Sequence, residues 1–161
     1  DKSANDHMTL TFHDSCNVAR GSRMGDSPGG QFEIPRAIIK AVCNNFVDMA
    51  ADTIKEATFC CGGGGGLLTD DLIEIRTKGA SPRMTALQEV VEEHGVTHMV
   101  AICAICKSQF SKVMPGYGFS MDSIVSLHQL VSNAIILDGQ IGSEPEVGAA
   151  TDATENVVTA G

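Results

Sequence analysis

The sequence contains few aromatic and few basic residues. Its 161 residues include no Trp and one Tyr, and 11 Lys and Arg stand against 20 Asp and Glu, which gives a net charge of −9 at pH 7. A nucleic-acid-binding surface needs basic side chains to neutralise phosphates and aromatic rings to stack on bases. The composition therefore argues against a nucleic-acid partner.

Membrane and export signals are also missing. No apolar run approaches the roughly 20 residues that span a bilayer, and the amino end has no signal-peptide pattern. The chain begins at Asp1 without a methionine, which is typical of a fragment or a processed product. We therefore expect a cytoplasmic location, where the six cysteines are metal ligands or redox groups rather than a disulfide framework.

The most unusual stretch is residues 59–66 (FCCGGGGG), in which Cys60 and Cys61 run into five glycines. Adjacent cysteines do not readily bond to each other because disulfide geometry is narrow, but both can reach one multi-metal centre. Glycine lets the backbone approach a bulky inorganic group, and its N–H groups can donate to an anionic cluster. We assign this supporting role to Gly62, Gly63 and Gly64. The alternative is a flexible linker after two buried cysteines.

The alternation of β-prone runs and amphipathic stretches predicts an α/β fold, with a small parallel sheet and helices on both faces. The predicted strands are residues 8–13, 53–59 and 97–102. The predicted helices are residues 35–49, 67–77, 82–94, 108–114 and 121–137. Residues 1–137 would form one domain. Residues 138–161 lack periodicity and are expected to be a tail that is flexible or ordered on a partner.

Each predicted strand delivers cysteine at its carboxyl end, where sites in open α/β sheets lie. The cysteines gathered at this edge are Cys16, Cys60, Cys61, Cys103 and Cys106. Five thiolates exceed the four that bind a tetrahedral zinc or an ordinary cubane cluster. This number indicates a larger or irregular iron–sulfur centre, or four ligands and one free thiol. Cys43 lies on the apolar stripe of a predicted helix, and we expect it to pack as a small hydrophobic residue.

Two other classes of protein remain open. A zinc-binding structural or interaction module would use four of the cysteines, but it leaves the glycines of residues 62–66 unexplained. A metal-free thiol–disulfide protein would act through Cys103 and Cys106, because a helix start favours a reactive thiolate. That reading leaves the other three clustered cysteines without a role.

The combined motifs resemble a known family. Cys16, the Cys60-Cys61-Gly62 run and Cys103-x-x-Cys106 resemble the cysteine-rich (CCG) domain of heterodisulfide-reductase-type proteins. The flanking stretches are most similar to the DsrK/HdrD-like branch. They are residues 12–20 (FHDSCNVAR), 33–36 (EIPR), 58–66 (TFCCGGGGG) and 127–131 (LHQLV). The resemblance covers roughly residues 9–137. A flavin- or quinone-linked 2-hydroxy-acid oxidoreductase subunit also uses CCG domains, but it fits these flanks less well.

The resemblance implies a cofactor and a reaction. The five cysteines would hold a non-cubane [4Fe–4S] cluster, with one or more of them bridging irons, and the activity would be reduction of a disulfide-like bond or its reverse. In DsrK-like proteins the proposed substrate is the trisulfide on the small protein DsrC, in a membrane-bound complex of sulfite or sulfur metabolism. The methanogen branch reduces a mixed disulfide of two coenzymes.

The resemblance also implies partners. Related full-length proteins carry ferredoxin-type cysteine motifs and a second CCG repeat, and neither is present in these 161 residues. Electrons would therefore enter from other iron–sulfur domains or from membrane subunits. These subunits would hold the domain on the inner face of the membrane. The intervals between the cysteine motifs are several residues longer than in the family, which places the substrate-facing loops in question.

His13 and Asp14 lie beside Cys16 and could donate a hydrogen bond to the cluster or a proton to a departing thiolate. A hydrogen-bonded structural histidine is the favoured interpretation of His13. Arg20 and Arg36 could meet an anionic substrate, although solvated or salt-bridged arginines are the usual case.

Overall fold

A three-stranded parallel sheet forms the centre of the fold. The structure is a computed structural model that describes residues 1–66 and 68–136. Within these residues the strands lie side by side in the order Leu10–Phe12, His98–Ala101 and Ile124–Ser126. The strands are β1 (Leu10–Phe12), β4 (His98–Ala101) and β5 (Ile124–Ser126), and a separate antiparallel ribbon joins β2 (Arg23–Met24) to β3 (Ser27–Pro28).

Four α-helices surround the sheet in the described part of the chain. They are α1 (Glu33–Val42), α2 (Ile73–His94), α3 (Ala104–Val113) and α4 (Leu127–Ala134). Short 3₁₀ turns are found at Lys2–Asn5, Ala51–Thr53, Lys55–Ala57, Asp70–Leu72, Met114–Tyr117 and Met121–Ser123, and a π-helical turn covers Cys16–Arg20. None of the helices described here is long and apolar enough to cross a bilayer.

The two faces of the sheet carry separate cores. Successive side chains of a strand point to opposite faces. In β4, Met99 and Ala101 accordingly pack with α2 and α3, whereas Val100 packs with α1 and α4. The predicted fold class, a small parallel sheet with helices on both faces, is confirmed.

The strand predicted at residues 53–59 is wrong. This segment forms two 3₁₀ turns, and Lys55 has a φ of +52°, which an extended strand does not allow. Its polar groups form hydrogen bonds to Asp14 instead of pairing with a neighbouring strand. The Lys55 N–H donates to Asp14 Oδ2 at 2.8 Å, and Thr58 Oγ1 donates to the Asp14 carbonyl at 2.8 Å. Cys60 and Cys61 are therefore delivered by a loop.

The third strand comes from a stretch that was predicted as helix, residues 121–137. Ile124–Ser126 pairs with β4, and only then does α4 begin, with the Ser126 side chain accepting the Gln129 N–H at 3.3 Å as its N-cap. The apolar residues of β5 fall at positions that continue the helical periodicity of α4. The sequence pattern therefore does not show where the strand ends and the helix begins. This strand carries no cysteine.

The helix predicted at residues 35–49 ends early, at Val42. Phe46, an apolar residue assigned to that helix, instead forms a parallel bridge with Leu10, and the Val47 N–H donates to the Leu10 carbonyl at 2.9 Å. These residues extend the sheet beyond β1, which explains why they are apolar.

The helices predicted at residues 67–77 and 82–94 are one helix, α2, which ends at His94 as predicted and has Gly95 as its C-cap. Pro82 lies inside it and cannot donate to the Lys78 carbonyl. The helix continues because the face around Ala80 and Met84 is fully buried, and packing outweighs the local penalty. The helix predicted at 108–114 begins earlier, at Ala104. The tail predicted at residues 138–161 lies outside the described residues.

Candidate metal centre

Two adjacent strands bring cysteines to one edge of the sheet. β1 and β4 pair in parallel, with Phe12 opposite Val100, so their carboxyl ends lie side by side. Cys16 begins the π-helical turn that follows β1, and its entry is capped by Ser15, whose side chain accepts the Val18 N–H. Cys103 follows β4 as the N-cap of α3. Cys106 lies in the first turn of that helix and is buried.

The loop that carries Cys60 and Cys61 is pressed against α2. Gly62 has a φ of +83°, and a Cβ on it would lie 2.3 Å from the Arg76 carbonyl oxygen and 2.8 Å from the Ala80 nitrogen. Glycine at this position therefore lets two backbones touch, whereas the sequence predicted an approach to an inorganic group. At Gly63 a Cβ would lie 3.3 Å from Cys61 Sγ, so that position does keep space beside a sulfur.

The glycine N–H groups reach the sulfurs of this loop. The Gly62 N–H donates to Cys60 Sγ at 3.3 Å, and the Gly63 N–H donates to Cys61 Sγ at 3.4 Å. Gly64 is exposed with a φ of +56°, and no hydrogen bond joins it to a sulfur in the described part of the chain. Such N–H groups stabilise negative charge on sulfur.

Three buried side chains meet at the centre. One ring nitrogen of His13 and the sulfurs of Cys61 and Cys106 lie within 4.8 Å of one another. His13 is fully buried, its ring packs edge-on to Phe110 at 4.9 Å between centroids, and neither ring nitrogen has a hydrogen-bond partner among the described residues. The hydrogen-bonded histidine expected from the sequence is thus not found. Burial, and to a smaller extent the charge of Arg83, lower the pKa of His13, which leaves a neutral imidazole.

The thiols interact as one connected group. A hydrogen bond from Cys106 lowers the pKa of Cys61 to about 6, and the same contact raises the pKa of Cys106. Cys103 adds to the rise at Cys106. Burial, followed by the charges of Cys60 and Cys61, raises the pKa of Cys16. Each of the five clustered cysteines is therefore linked to at least one other member of the group.

Asp14 is a structural residue. Its carboxylate accepts two hydrogen bonds from Arg36, at 2.7 and 2.8 Å, and Arg36 also binds Asp48 at 2.9 Å. Burial alone would lower the pKa of Arg36, but the bonds to Asp14 and Asp48 outweigh it and raise that pKa. The expected salt-bridged state of Arg36 is confirmed, and Asp14 has no free oxygen directed at a thiolate. Arg20 is exposed and donates to the Thr58 carbonyl at 3.2 Å.

Two buried arginines near the site had been missed. Arg76 and Arg83 are 3% and 0% exposed and lie on α2. The signal that could have found them is their spacing, because seven positions place both on the apolar face of the helix with Ala80.

Cys43 is separate from this group. It is 3% exposed, ends α1 and packs in the core between α1 and α4. Burial raises its pKa. The prediction that Cys43 packs as a small hydrophobic residue is confirmed.

The side chains present fit an iron–sulfur group. Thiols are its usual ligands, and backbone N–H groups already donate to two of the sulfurs. An unpartnered ring nitrogen of His13 lies within 4.8 Å of two of the sulfurs. The fold and this centre thus define a cysteine-rich α/β domain with the side chains that a metal centre requires.

Comparison with known proteins also identifies a cysteine-rich domain. The sequence model of the cysteine-rich domain, CCG, matches residues 10–111, and the chain belongs to this family. It is 42% identical over 146 residues to an Hdr-like menaquinol oxidoreductase iron-sulfur subunit of Archaeoglobus profundus, and 40% identical to subunit 2 of the same name in Archaeoglobus fulgidus. Each match covers 91% of this chain and 25% of the relative.

A more distant relative is a probable membrane-anchored ferredoxin of Chromohalobacter salexigens, 26% identical over 93% of this chain and 20% of its own length. The chain therefore spans about a quarter of the length of the curated relatives it matches. No solved structure matches at a comparable level. The resemblance to the cysteine-rich domain of heterodisulfide-reductase-type proteins is confirmed; the DsrK/HdrD-like branch stays a prediction.

Proposed function

We propose that this chain is the cluster-bearing domain of an Hdr-like iron–sulfur oxidoreductase. The observation that carries the proposal is the gathering of five interacting cysteines at one edge of the sheet. In this proposal the ligands are Cys16, Cys60, Cys61, Cys103 and Cys106, and the group is a non-cubane [4Fe–4S] cluster. When bound, such a cluster supplies single electrons at a potential set by its charge, its hydrogen bonds and its exposure to solvent.

The burial of the cysteines indicates the side from which a substrate approaches. Cys61, Cys103 and Cys106 are 3%, 8% and 2% exposed, whereas Cys60 is exposed and Cys16 is intermediate. The buried thiols would anchor the group, and a substrate sulfur would arrive at the open side formed by Cys16 and Cys60. Phe59, which is 37% exposed, would border that opening and exclude water from part of it.

The proposed substrate class is supported by the resemblance to heterodisulfide-reductase-type proteins. We propose a disulfide or a DsrC-type trisulfide, whose reduction requires two electrons for each S–S bond. The names of the two archaeal relatives refer to menaquinol, which supports electron exchange with a quinol through partner subunits. The domain would then lie on the inner face of the membrane, held by those partners.

A zinc site is the second candidate, favoured by one observation. His13, Cys61 and Cys106 offer three buried ligand atoms within 4.8 Å of one another, and zinc binds such nitrogen and sulfur ligands. A fourth ligand from Cys103 would close a structural site. This candidate gives no role to the donation from Gly62 to Cys60.

Metal and acid-labile sulfide analysis of anaerobically prepared protein distinguishes the iron–sulfur cluster from the zinc site. We expect about four irons and four sulfides per chain, with an EPR signal that changes when a substrate thiol is added. An EPR signal that does not change on addition of the thiol would support the cluster but contradict a role in substrate binding. One zinc without sulfide would establish the second candidate.

A further inference from the structure

The charges around the cysteine loop are unbalanced. Arg76 and Arg83 are both buried on one face of α2. In residues 1–66 and 68–136, neither guanidinium has an Asp or Glu oxygen within 4.0 Å. A buried charge is unfavourable unless an opposite charge lies nearby. These two cations therefore need a negative charge.

Arg83 is surrounded by neutral acceptors. It donates to Met49 Sδ at 2.8 Å, to Thr58 Oγ1 at 2.9 Å and to the Thr53 carbonyl, while its Nε has no partner in the described part of the chain. Burial lowers the pKa of Arg83 to about 10, although the charge of Asp14 acts in the opposite direction. Asp14 is already held by Arg36 and does not balance Arg83.

Arg76 also binds only neutral oxygens. Two of its nitrogens donate to Gln109 Oε1, at 2.9 and 2.6 Å, and a third donates to the Thr69 carbonyl at 2.8 Å. Gln109 is fully buried and returns a hydrogen bond to the Arg76 carbonyl at 3.2 Å. The pair fixes the guanidinium in place without neutralising it.

The cysteine loop contacts α2 between these two arginines. Gly62 packs on the Arg76 carbonyl and on the Ala80 nitrogen, and Ala80 lies about one helical turn from each arginine. Cys61 immediately precedes Gly62. His13 has a ring nitrogen within 4.8 Å of Cys61 Sγ, and the charge of Arg83 acts on this same histidine by lowering its pKa. The loop that carries the adjacent Cys60 and Cys61 is thus packed on the segment of α2 that bears both cations.

We propose that Arg76 and Arg83 are the fixed counter-charges of the anionic group bound by these cysteines. Thiolate ligands bring negative charge, and one-electron reduction adds another, so that two buried cations favour both binding and the reduced state. They are positioning residues, since they act through the loop and through the field rather than on substrate. The inference rests on the proposed function.

The test compares four variants of the full chain with the wild type. Arg76→Met and Arg83→Met remove the charge but keep an apolar side chain of similar length. Arg83→Lys keeps the charge and loses the fork of hydrogen bonds. Lys78→Met is the matched control, because Lys78 lies on the same helix with a side chain 75% exposed, paired to Glu74 at 2.7 Å. Each protein is loaded anaerobically with iron and sulfide.

Two quantities are measured: the midpoint potential by EPR-monitored redox titration, and the thermal unfolding of loaded and stripped protein. For each Met variant we expect about tenfold weaker retention of the group and a more negative potential. A tenfold loss of preference for the reduced state corresponds to about 59 mV for one electron. Arg83→Lys should recover most of the potential, and Lys78→Met should change neither quantity because its charge is screened.

Equal losses of thermal stability in loaded and stripped protein, with an unchanged potential, would show a purely structural role and overturn the inference while leaving the proposed function intact. If wild-type protein takes up zinc instead of iron and sulfide, the proposed function fails, and an unchanged zinc affinity in the Met variants would overturn the inference as well. Uptake of neither metal rejects both. Should Arg83→Met fail to fold, Arg76→Met and Arg83→Lys decide the question.

Discussion

The two faces of the sheet differ in how their buried polar groups are satisfied. On the α1/α4 face, buried Asn5 donates to the carbonyls of Val42 and Leu130, at 3.0 Å each, and the buried Arg36 is bound by two carboxylates. On the α2/α3 face, His13 and Arg83 leave nitrogen atoms without partners among the described residues.

The same contrast continues along β1. Leu10 and Phe12 pack in the α1/α4 core, so Thr11 and His13 point to the other face. Thr11 Oγ1 is also without a hydrogen-bond partner in the described part of the chain. In the described residues, the buried polar groups named here on the α1/α4 face all have partners within the chain. The α2/α3 face has buried polar atoms without partners, which is typical of a binding site. Unsatisfied buried groups are rare in proteins and call for an explanation of this kind.

Replacing a cysteine on the α2/α3 face should have the largest effect. We expect Cys61→Ser to abolish binding of the group and to remove the stability that binding adds, about 3 kcal/mol at a hundredfold excess over Kd. Iron analysis and thermal unfolding of the loaded protein measure both losses. Full iron content and an unaltered spectrum would show that Cys61 is not a ligand.

Closing the contact between the loop and α2 should have an intermediate effect. Gly62→Ala forces a Cβ to within 2.3 Å of a helix carbonyl at a φ of +83°, and we expect about 2–3 kcal/mol of destabilisation in urea. Gly65→Ala is the matched control, since Gly65 also has a positive φ, +71°, but nothing lies within 4 Å of its Cβ. Its cost should stay near 1 kcal/mol, roughly the conformational term alone. Equal costs for the two variants would mean that contact with α2 is unimportant.

Replacing the cysteine on the α1/α4 face should have the smallest effect. Cys43→Ala removes one buried sulfur from an apolar core, which we expect to cost about 1 kcal/mol and to leave the bound iron unchanged. Urea unfolding and iron analysis of the variant measure these values. Loss of iron in Cys43→Ala would contradict the conclusion that only the α2/α3 face contributes to the metal centre.

The sequence was sufficient for the parts of the site that local patterns determine. The β-prone runs that end near Cys16 and Cys103 are real strands, and their parallel pairing follows from the alternation of elements. The end of α2 at His94 was also recognisable, because helix caps depend on neighbouring residues.

The rest depends on contacts between distant positions. The loop before Cys60 resembles a strand in sequence, but Asp14 and Arg83 bind its polar groups from 41 and 30 positions away. Hydrogen bonds between such distant positions cannot be predicted from a local sequence pattern. Arg76 was missed for a related reason, since an arginine on a helix is normally exposed and only tertiary packing shows that this one is buried.

The parallel pairing of β1 with β4 also determines when the site can form during folding. Thr9 and Thr97 meet across 88 intervening steps of the chain, and closing such a long loop is entropically costly and slow. Because His13 and Cys106 come from opposite ends of that loop, the centre cannot exist before the sheet does. Metal that arrives before β1 and β4 have paired would meet only part of the ligand set, so the complete centre requires the folded sheet.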